Sequence, residues 1–220
     1  SGYAFRTFAE FLEDPAGRVI ILRHDVDALK LNSLRFARIQ AEEDIRGSYY
    51  FRVVPQSFDE GVIRQIAALG HEIGYHYETM HTQRGDVDAA WDEFRRNLEM
   101  FRKIVPVRTV CMHGSPLSPY DNRDLWKKYD YRELGILGEP YMDLDFGKVG
   151  YLTDTGRRWD GEKVSVRDKV GDGERVSVRD KVNSEQGITK MEHGRSAQRL
   201  TPDAQSLSMH STNDIITAAE

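Results

Sequence analysis

Short apolar runs alternate along the chain with longer segments of helical spacing. Residues 18–22 form an Arg-Val-Ile-Ile-Leu run of the β-branched type that parallel sheets bury, and 48–54 and 71–77 are also predicted as strands. Across 29–45, apolar residues recur every three or four positions among charged ones, which predicts a helix that ends near Gly47. This alternation predicts an α/β fold.

The same alternation continues through the middle of the chain. The pattern predicts helices over 60–69, 87–104 and 122–129, and strands over 107–112 and 134–137. Strand and helix therefore alternate at least four times. Such repetition favours a parallel sheet covered by helices, either open or closed into a barrel.

The C-terminal part of the chain has a different texture, with few large apolar residues. The unit Glu-Lys-Val-Ser-Val-Arg-Asp-Lys-Val at 162–170 returns almost unchanged at 174–182, on the other side of a Gly-Asp-Gly sequence. The two units either pair as a hairpin or form a loose loop left by a tandem duplication. We expect 162–209 to be a loosely ordered insertion in a single domain over 1–220, followed by a short helix at 212–219.

Composition narrows the function classes. The 220 residues, 39% hydrophobic and 30% charged, suit a water-soluble globular domain without a membrane span. A formal charge of −5 argues against nucleic acid as a partner, because such proteins usually carry a basic face. The single cysteine, Cys111, cannot form an internal disulfide, so the fold suits a reducing compartment and a cytoplasmic location is expected. Because Cys111 lies within an apolar run, it is interpreted as a core residue.

Residues able to bind metals or move protons stand where the predicted strands end. In chain order they are Asp25, Asp27, Arg52, His76, Glu78, His113, Glu139 and Asp154. In an alternating parallel sheet, the loops after the strands converge on one crevice. Imidazoles and carboxylates that meet there have the composition of a divalent-metal site with a nearby base.

The two aspartates after the first strand form the first half of this predicted site. Asp25 and Asp27 are two residues apart on extended chain, so their side chains leave the same face. One can bind a metal ion while the other accepts a proton. The competing interpretation is that the pair only solvates the strand end or caps the following helix.

The histidines fall into two groups. His76 and His113 each end a strand, and a neutral imidazole suits Zn²⁺ or a similar ion. His24, which points away from the aspartates, and His71, at the start of its strand, are interpreted as structural residues. His81, five residues after His76, remains open as a ligand or a surface residue.

Two segments resemble known family motifs. Arg-His-Asp-Val-Asp at 23–27 and Gly-His-Glu-Ile-Gly-Tyr-His at 70–76 resemble the first two motifs of the polysaccharide deacetylases, which remove N- or O-acetyl groups from sugars. The likeness covers roughly residues 18–160. With Cys-Met-His-Gly-Ser-Pro at 111–116, the chain looks most like a bacterial subgroup partly associated with O-antigen or other surface-polysaccharide synthesis. The resemblance implies a distorted (β/α) barrel of the polysaccharide deacetylase type.

The resemblance also implies a mechanism and roles for individual residues. Asp25 aligns with the family's catalytic base and Asp27 with a metal ligand, although exchanged roles remain open. Arg52 is expected to orient the base, and His76 to bind the metal, expected to be zinc. Two roles are open for Tyr75, Tyr77 and Trp159, which either stack on sugar faces or serve in ordinary packing.

The chain departs from the family pattern at two points. Met80 stands four residues after His76, where the family has its second histidine, so the third ligand must come from elsewhere. The candidates, in order, are His113, His81 and Glu78. The family's late Leu-x-His motif, which supplies the general acid, has no visible counterpart before Glu220.

The predicted function follows from these residues and the resemblance together. The chain is expected to be a metal-dependent hydrolase that removes an acetyl group from an N-acetylated sugar or polysaccharide precursor by cleaving a non-peptide carbon–nitrogen bond. The expected partner is an acetylated saccharide, either free, nucleotide-linked or lipid-linked. The alternative is a catalytically impaired carbohydrate-binding or regulatory module of a polysaccharide pathway.

Overall fold

The computed structural model describes residues 2–15, 17–115 and 118–153, together with the backbone of 212–218. Its helices and strands, in chain order, are β1 (Ala4–Arg6), α1 (Phe8–Glu13), β2 (Val19–Val26), α2 (Lys30–Glu42), β3 (Ser48–Phe51), α3 (Glu60–Ala68), β4 (Glu72–Tyr77), α4 (Thr79–Thr82), α5 (Val87–Arg102), β5 (Val110–Met112), α6 (Pro140–Asp143), β6 (Val149–Thr153) and β7 (Thr212–Ala218). Two 3₁₀ helices, Asn122–Lys127 and Tyr131–Leu134, lie between β5 and α6.

Within the described residues, seven strands form one sheet in the order β5-β4-β3-β2-β7-β6, with β1 beside β2. The five strands β1 to β5 pair in parallel, whereas β7 runs antiparallel to both β2 and β6. Because β7 occupies one edge of β2, β1 and β3 share its other edge. The prediction of an α/β fold with a parallel sheet is confirmed.

The two faces of this sheet differ in chemistry. On the outer face, alternate strand residues pack with α2, α3 and α5 into the larger hydrophobic cluster, whose aromatic members include Tyr49, Phe51, Tyr75, Tyr77, Phe94 and Phe101. The residues between them point to the inner face, where buried polar groups such as His76 and Asp25 stand. A smaller cluster on α1, the start of β2 and β6 fills the remaining inner space.

Contacts across the inner face require the sheet to curl. Arg23 on β2 donates to the hydroxyl groups of Tyr141 and Tyr151, at 2.8 and 3.3 Å. Gly138, shortly before Tyr141, forms an isolated bridge with Thr109, which directly precedes β5. In the sheet order, β5 lies three strands from β2. A flat sheet would separate those strands by about 14 Å. The curvature is compatible with a barrel-like α/β fold.

Most predicted elements between residues 18 and 112 are present, but their ends differ in one important place. Strand β2 continues to Val26, so Asp25 lies inside the strand and pairs in register with Tyr50 instead of following the strand end. The helices predicted over 29–45, 60–69 and 87–104 correspond to α2, α3 and α5.

Two other predictions of secondary structure are wrong. Residues 134–137 do not form a strand, because Leu134 ends a 3₁₀ helix and the segment makes only an isolated bridge at Gly138. The segment 212–219, predicted as a helix, forms strand β7 instead. Its β-branched residues suit a strand that is paired on both edges, and this long-range pairing overrides the local cap signal.

Some sequence predictions fall on residues outside the described ranges. The duplicated unit and the expected loop or hairpin over 162–209 lie there, as do Asp154 and Trp159. Over the described ranges, no helix combines the length and apolar character that crossing a membrane requires. Strand β1 and helix α1 were not predicted from the sequence pattern, whereas β6 ends directly before Asp154, a position that the pattern predicts as a strand end.

Candidate metal centre

Side chains from the carboxyl ends of three strands meet on the inner face. Asp27 follows β2, His76 lies in β4, and His113 follows β5. One potential ligand atom of each residue lies within 4.8 Å of the other two. The three residues predicted from the sequence as metal ligands are therefore close neighbours in the fold.

The distances within this triad fit a small tetrahedral ion. His113 Nδ1 lies 3.1 Å from Asp27 Oδ1 and 3.2 Å from His76 Nε2, and His76 Nε2 lies 3.6 Å from Asp27 Oδ1. Ligand atoms about 2.0–2.1 Å from a tetrahedral Zn²⁺ lie about 3.3–3.4 Å from one another. The three separations bracket that value without any rearrangement.

The protonation of His76 suits metal binding. Its Nδ1–H donates to the carbonyl oxygen of Cys111 at 2.9 Å, and because a carbonyl can only accept, the lone pair must lie on Nε2. Burial lowers the pKa of His76, and this effect outweighs the opposing charge of Asp25. The neutral ring therefore presents its Nε2 lone pair on the side of His113 Nδ1, 3.2 Å away, and of Asp27.

Asp27 supplies a buried anionic oxygen to the triad. Its Oδ1 lies 3.1 Å from His113 Nδ1 but makes no hydrogen bond of ideal geometry among the described residues. Burial alone would raise the pKa of Asp27, but the hydrogen-bonding approach of His113 and the charges of His76, His113 and Arg52 outweigh it and lower the pKa. A buried, ionised oxygen that faces two histidines has surroundings that a cation would complete. The donor set therefore fits a divalent metal ion.

Asp25 lies beside this triad, deeper in the inner face. Its Oδ2 is 3.8 Å from His76 Nε2 and 3.5 Å from Arg23 Nη2. Its Oδ1 is buried without a hydrogen-bond partner among the described residues. Asp25 and Asp27 thus both face His76, as their spacing predicted.

Arg23 is a site residue that the sequence reasoning missed. It is only 1% exposed, and it lies over the ring of Tyr141 at 4.8 Å while donating to that residue's hydroxyl. Burial opposes the charge of Arg23, but Asp25 and other neighbours raise its pKa overall. Its spacing of two residues from Asp25 already placed both side chains on one face of β2.

Arg52 does not occupy the position expected for it. Its guanidinium makes a two-pronged contact with Glu78, with Nη2 to Oε2 at 2.7 Å, and Nη1 lies 3.9 Å from Asp27 Oδ1. Arg52 was expected to orient Asp25, whereas Arg23 is the arginine that contacts that carboxylate. Glu78, a lower-ranked candidate for the third ligand, is engaged by Arg52 and lies outside the metal-ligand groups found among the described residues.

The other described histidines have structural contacts. His81 is exposed on α4, and its Nδ1 hydrogen-bonds to Ser118 Oγ at 3.0 Å, away from the triad. His71 accepts from Gly47 N and donates to the Ala37 carbonyl oxygen, and burial lowers its pKa. His24 is buried and accepts from the side chain of Gln40, so the structural interpretation of both residues is confirmed.

The aromatic residues beside His76 point the wrong way to bind a sugar at this site. Tyr75 and Tyr77 are buried in the outer hydrophobic cluster against Phe94, because successive residues of a strand face opposite sides. Of the two roles left open for Tyr75 and Tyr77, ordinary packing is confirmed and sugar stacking is not. Trp159 lies outside the described residues.

Glu139 is buried but has a structural position. Its two carboxylate oxygens accept hydrogen bonds from the backbone N–H groups of Met112 and Tyr141, which ties the start of α6 to β5. Burial raises the pKa of Glu139 to about 7. No contact joins it to the triad.

Cys111 lies on the inner face, next to His76 in the sheet register. It is fully buried, but it belongs to neither hydrophobic cluster, and a potential ligand atom of each of Asp25, His76 and Cys111 lies within 4.8 Å of the other two. The interpretation of Cys111 as a buried core residue is confirmed, and the same residue also lies close to Asp25 and His76.

No model of a known protein family and no curated protein matches the chain. The resemblance to polysaccharide deacetylases accordingly rests on the short motifs at 23–27 and 70–76.

Proposed function

We propose that the chain is a metal-dependent hydrolase that removes an acetyl group from an N-acetylated saccharide, on a distorted (β/α) barrel of the polysaccharide deacetylase type. The observation that carries the proposal is the convergence of Asp27 Oδ1, His76 Nε2 and His113 Nδ1, at separations of 3.1 to 3.6 Å, beside the second carboxylate of Asp25. Two histidines and one carboxylate are a common ligand set of catalytic zinc sites.

Asp27, His76 and His113 would hold a Zn²⁺ ion, which would supply the Lewis acidity that polarises the acetyl carbonyl and lowers the pKa of a water molecule. The hydrogen bond from His76 Nδ1–H to the carbonyl oxygen of Cys111 keeps the His76 ring from turning.

Asp25 is the proposed general base. Its Oδ1 has no hydrogen-bond donor among the described residues, so it is available to accept the proton of the attacking water. Arg23 Nη2, 3.5 Å from Oδ2, holds the orientation of this carboxylate. Arg52 acts on Asp27 through their 3.9 Å approach, and it is assigned no contact with the reacting atoms.

The substrate class rests on the motif resemblance. It implies cleavage of the carbon–nitrogen bond of an N-acetylated sugar or polysaccharide precursor, which is free, nucleotide-linked or lipid-linked, within surface-polysaccharide or O-antigen synthesis. No residue of the described ranges is assigned as the general acid.

The first prediction separates the base from the ligands. Asp25→Asn should abolish acetate release from N-acetylated sugars while retaining bound metal, because an amide nearly keeps the shape but cannot accept the proton. His76→Ala should lose both acetate release and metal, because it removes a ligand. Acetate release is measured with and without Zn²⁺ or Co²⁺, and metal content by elemental analysis.

Two other results would change the proposed roles or the proposed function. Loss of metal in Asp25→Asn would mean that the roles of Asp25 and Asp27 are exchanged. The hydrolase proposal would be overturned in favour of a carbohydrate-binding module by one result. In that result, neither the wild-type chain nor a longer chain extending past Glu220 releases acetate, although both bind saccharide.

A further inference from the structure

A second group of ligand atoms lies deeper in the inner face than the triad. It consists of Asp25, His76 and Cys111, which are 6%, 2% and 0% exposed, and one ligand atom of each lies within 4.8 Å of the others. We propose that this group, here called the inner set, binds a thiophilic divalent ion such as Cd²⁺ through the Cys111 thiolate. An ion held there engages Asp25 and so stops the proposed reaction.

The strand register directs the thiol toward the other two ligands. Cys111 of β5 pairs with His76 of β4, so their side chains are neighbours on the same face. Among the described residues, the thiol's one hydrogen-bond contact is a weak 3.7 Å approach to the Met112 carbonyl oxygen, so the sulfur is available as a ligand.

The carboxylate of Asp25 gives an independent indication of a ligand. The side chain is more than nine-tenths buried, and its Oδ1 has no hydrogen-bond partner among the described residues. A buried carboxylate oxygen without a donor is costly. A cation between Asp25 and Cys111 would remove that cost.

The inner set and the triad cannot both be filled. They share His76, whose Nδ1 is protonated by its bond to the Cys111 carbonyl, so that Nε2 offers a single lone pair. One ion therefore occupies either the inner set or the set of Asp27, His76 and His113. In the second case Asp25 remains free to act as a base, and in the first it is a ligand.

Ligand chemistry decides which ion prefers which set. Both sets can accept Zn²⁺, but thiolate is a soft ligand and Cd²⁺ is a softer ion than Zn²⁺, so the thiolate favours Cd²⁺ at the inner set. Binding at the inner set breaks the Cys111 S–H bond, forms a sulfur–metal bond and releases the proton to solvent, without any change of oxidation state. Only the inhibition depends on the proposed function, whereas the binding does not.

The second prediction tests the binding by absorption. Cys111 is the single cysteine of the chain, so any thiolate-to-cadmium charge-transfer band in the ultraviolet reports that residue alone. Titration of the metal-free protein with Cd²⁺ should raise this band to a plateau at one ion per chain. The band should be absent in Cys111→Ala and retained in His113→Ala, which removes a ligand of the other set only.

Three results would overturn the inner set. In the first, equilibrium dialysis shows that Cd²⁺ is bound but no thiolate band appears. In the second, no Cd²⁺ is bound. In the third, the band is lost in His113→Ala. The wild-type titration decides the first two even if Cys111→Ala does not fold.

The inhibition is read separately, on protein that releases acetate with Zn²⁺. Cd²⁺ should suppress that release, and Cys111→Ala should need at least tenfold more Cd²⁺ for the same fractional loss of its own rate. If wild type and Cys111→Ala were equally sensitive to Cd²⁺, the inhibitory role of the inner set would be overturned. If the thiolate band formed but the protein released no acetate, only the proposed hydrolase function would be contradicted.

Discussion

Arg23 shows how a single buried charge can organise a site. Its guanidinium is almost fully buried, where an unpaired charge would cost several kcal/mol. Asp25 and the hydroxyl groups of Tyr141 and Tyr151 surround it. Because Arg23 and Asp25 lie on the same face of one strand, β2 itself fixes their separation.

The third prediction concerns this pair. Arg23→Met should lower the free energy of unfolding by about 3–5 kcal/mol, because it leaves the buried Asp25 carboxylate without its nearest cation. The double variant Arg23→Met/Asp25→Asn should recover part of that loss. Urea denaturation gives both values.

The matched control is Arg95→Ala. Arg95 pairs with Asp92 on the exposed side of α5, with about half of each side chain in solvent, so its loss should cost less than about 1 kcal/mol. Similar losses in Arg23→Met and Arg95→Ala would show that the buried pair does not stabilise the fold.

The sequence predicted part of this chemistry, and strand parity explains both the successes and the errors. Asp27, His76 and His113 were recognised because imidazoles and carboxylates at strand ends are conspicuous. Tyr75 was assigned to the crevice beside His76, although adjacent strand residues must face opposite sides. Cys111 was assigned to the apolar core because a strand buried on both faces reads as one continuous apolar run, which does not reveal the polar inner face.

At the scale of elements, β4 depends on a glycine to make room for the ring of Tyr50 on the face that carries His76. A Cβ at Gly74 would lie 2.2 Å from Cε1 of Tyr50, whose hydroxyl is hydrogen-bonded to Thr109 Oγ1 at 2.9 Å. The ring is held at both its edge and its hydroxyl group. It therefore cannot move aside without breaking a buried contact.

The fourth prediction follows from this close approach. Gly74→Ala should lower the free energy of unfolding by about 1–3 kcal/mol, because the added methyl group overpacks the inner face. Gly114→Ala is the control, since a Cβ there meets nothing within 4 Å. Chemical denaturation compares the two, and equal effects would contradict the packing argument.

The elements also show which patterns were informative. Helices α3 and α5 each bury a regular apolar stripe, and Asp59 and Asp86 cap their N-termini. The local sequence therefore suffices to predict both helices. Strand β7 depends on pairing with β2 and β6, which are remote in sequence, and no local pattern indicates those partners.

At the scale of the whole molecule, the candidate metal centre joins residues that are far apart in sequence. Asp27, His76 and His113 meet because β2, β4 and β5 end at the same edge of a curled sheet. An ion bound by all three exists only on the folded chain. Metal binding must therefore stabilise the fold by mass action.

The measurement that tests the central claim most directly is the Zn²⁺ dependence of unfolding, with metal content measured in parallel. The fifth prediction is that the wild-type chain binds one ion and gains about 2.7 kcal/mol of unfolding free energy at free Zn²⁺ one hundred times Kd. At that same Zn²⁺ concentration, His113→Ala should lose most of the gain, whereas His81→Ala, which alters a histidine outside the triad, should keep it. No gain in the wild type, or an equal gain in His113→Ala, would contradict a metal centre formed by Asp27, His76 and His113.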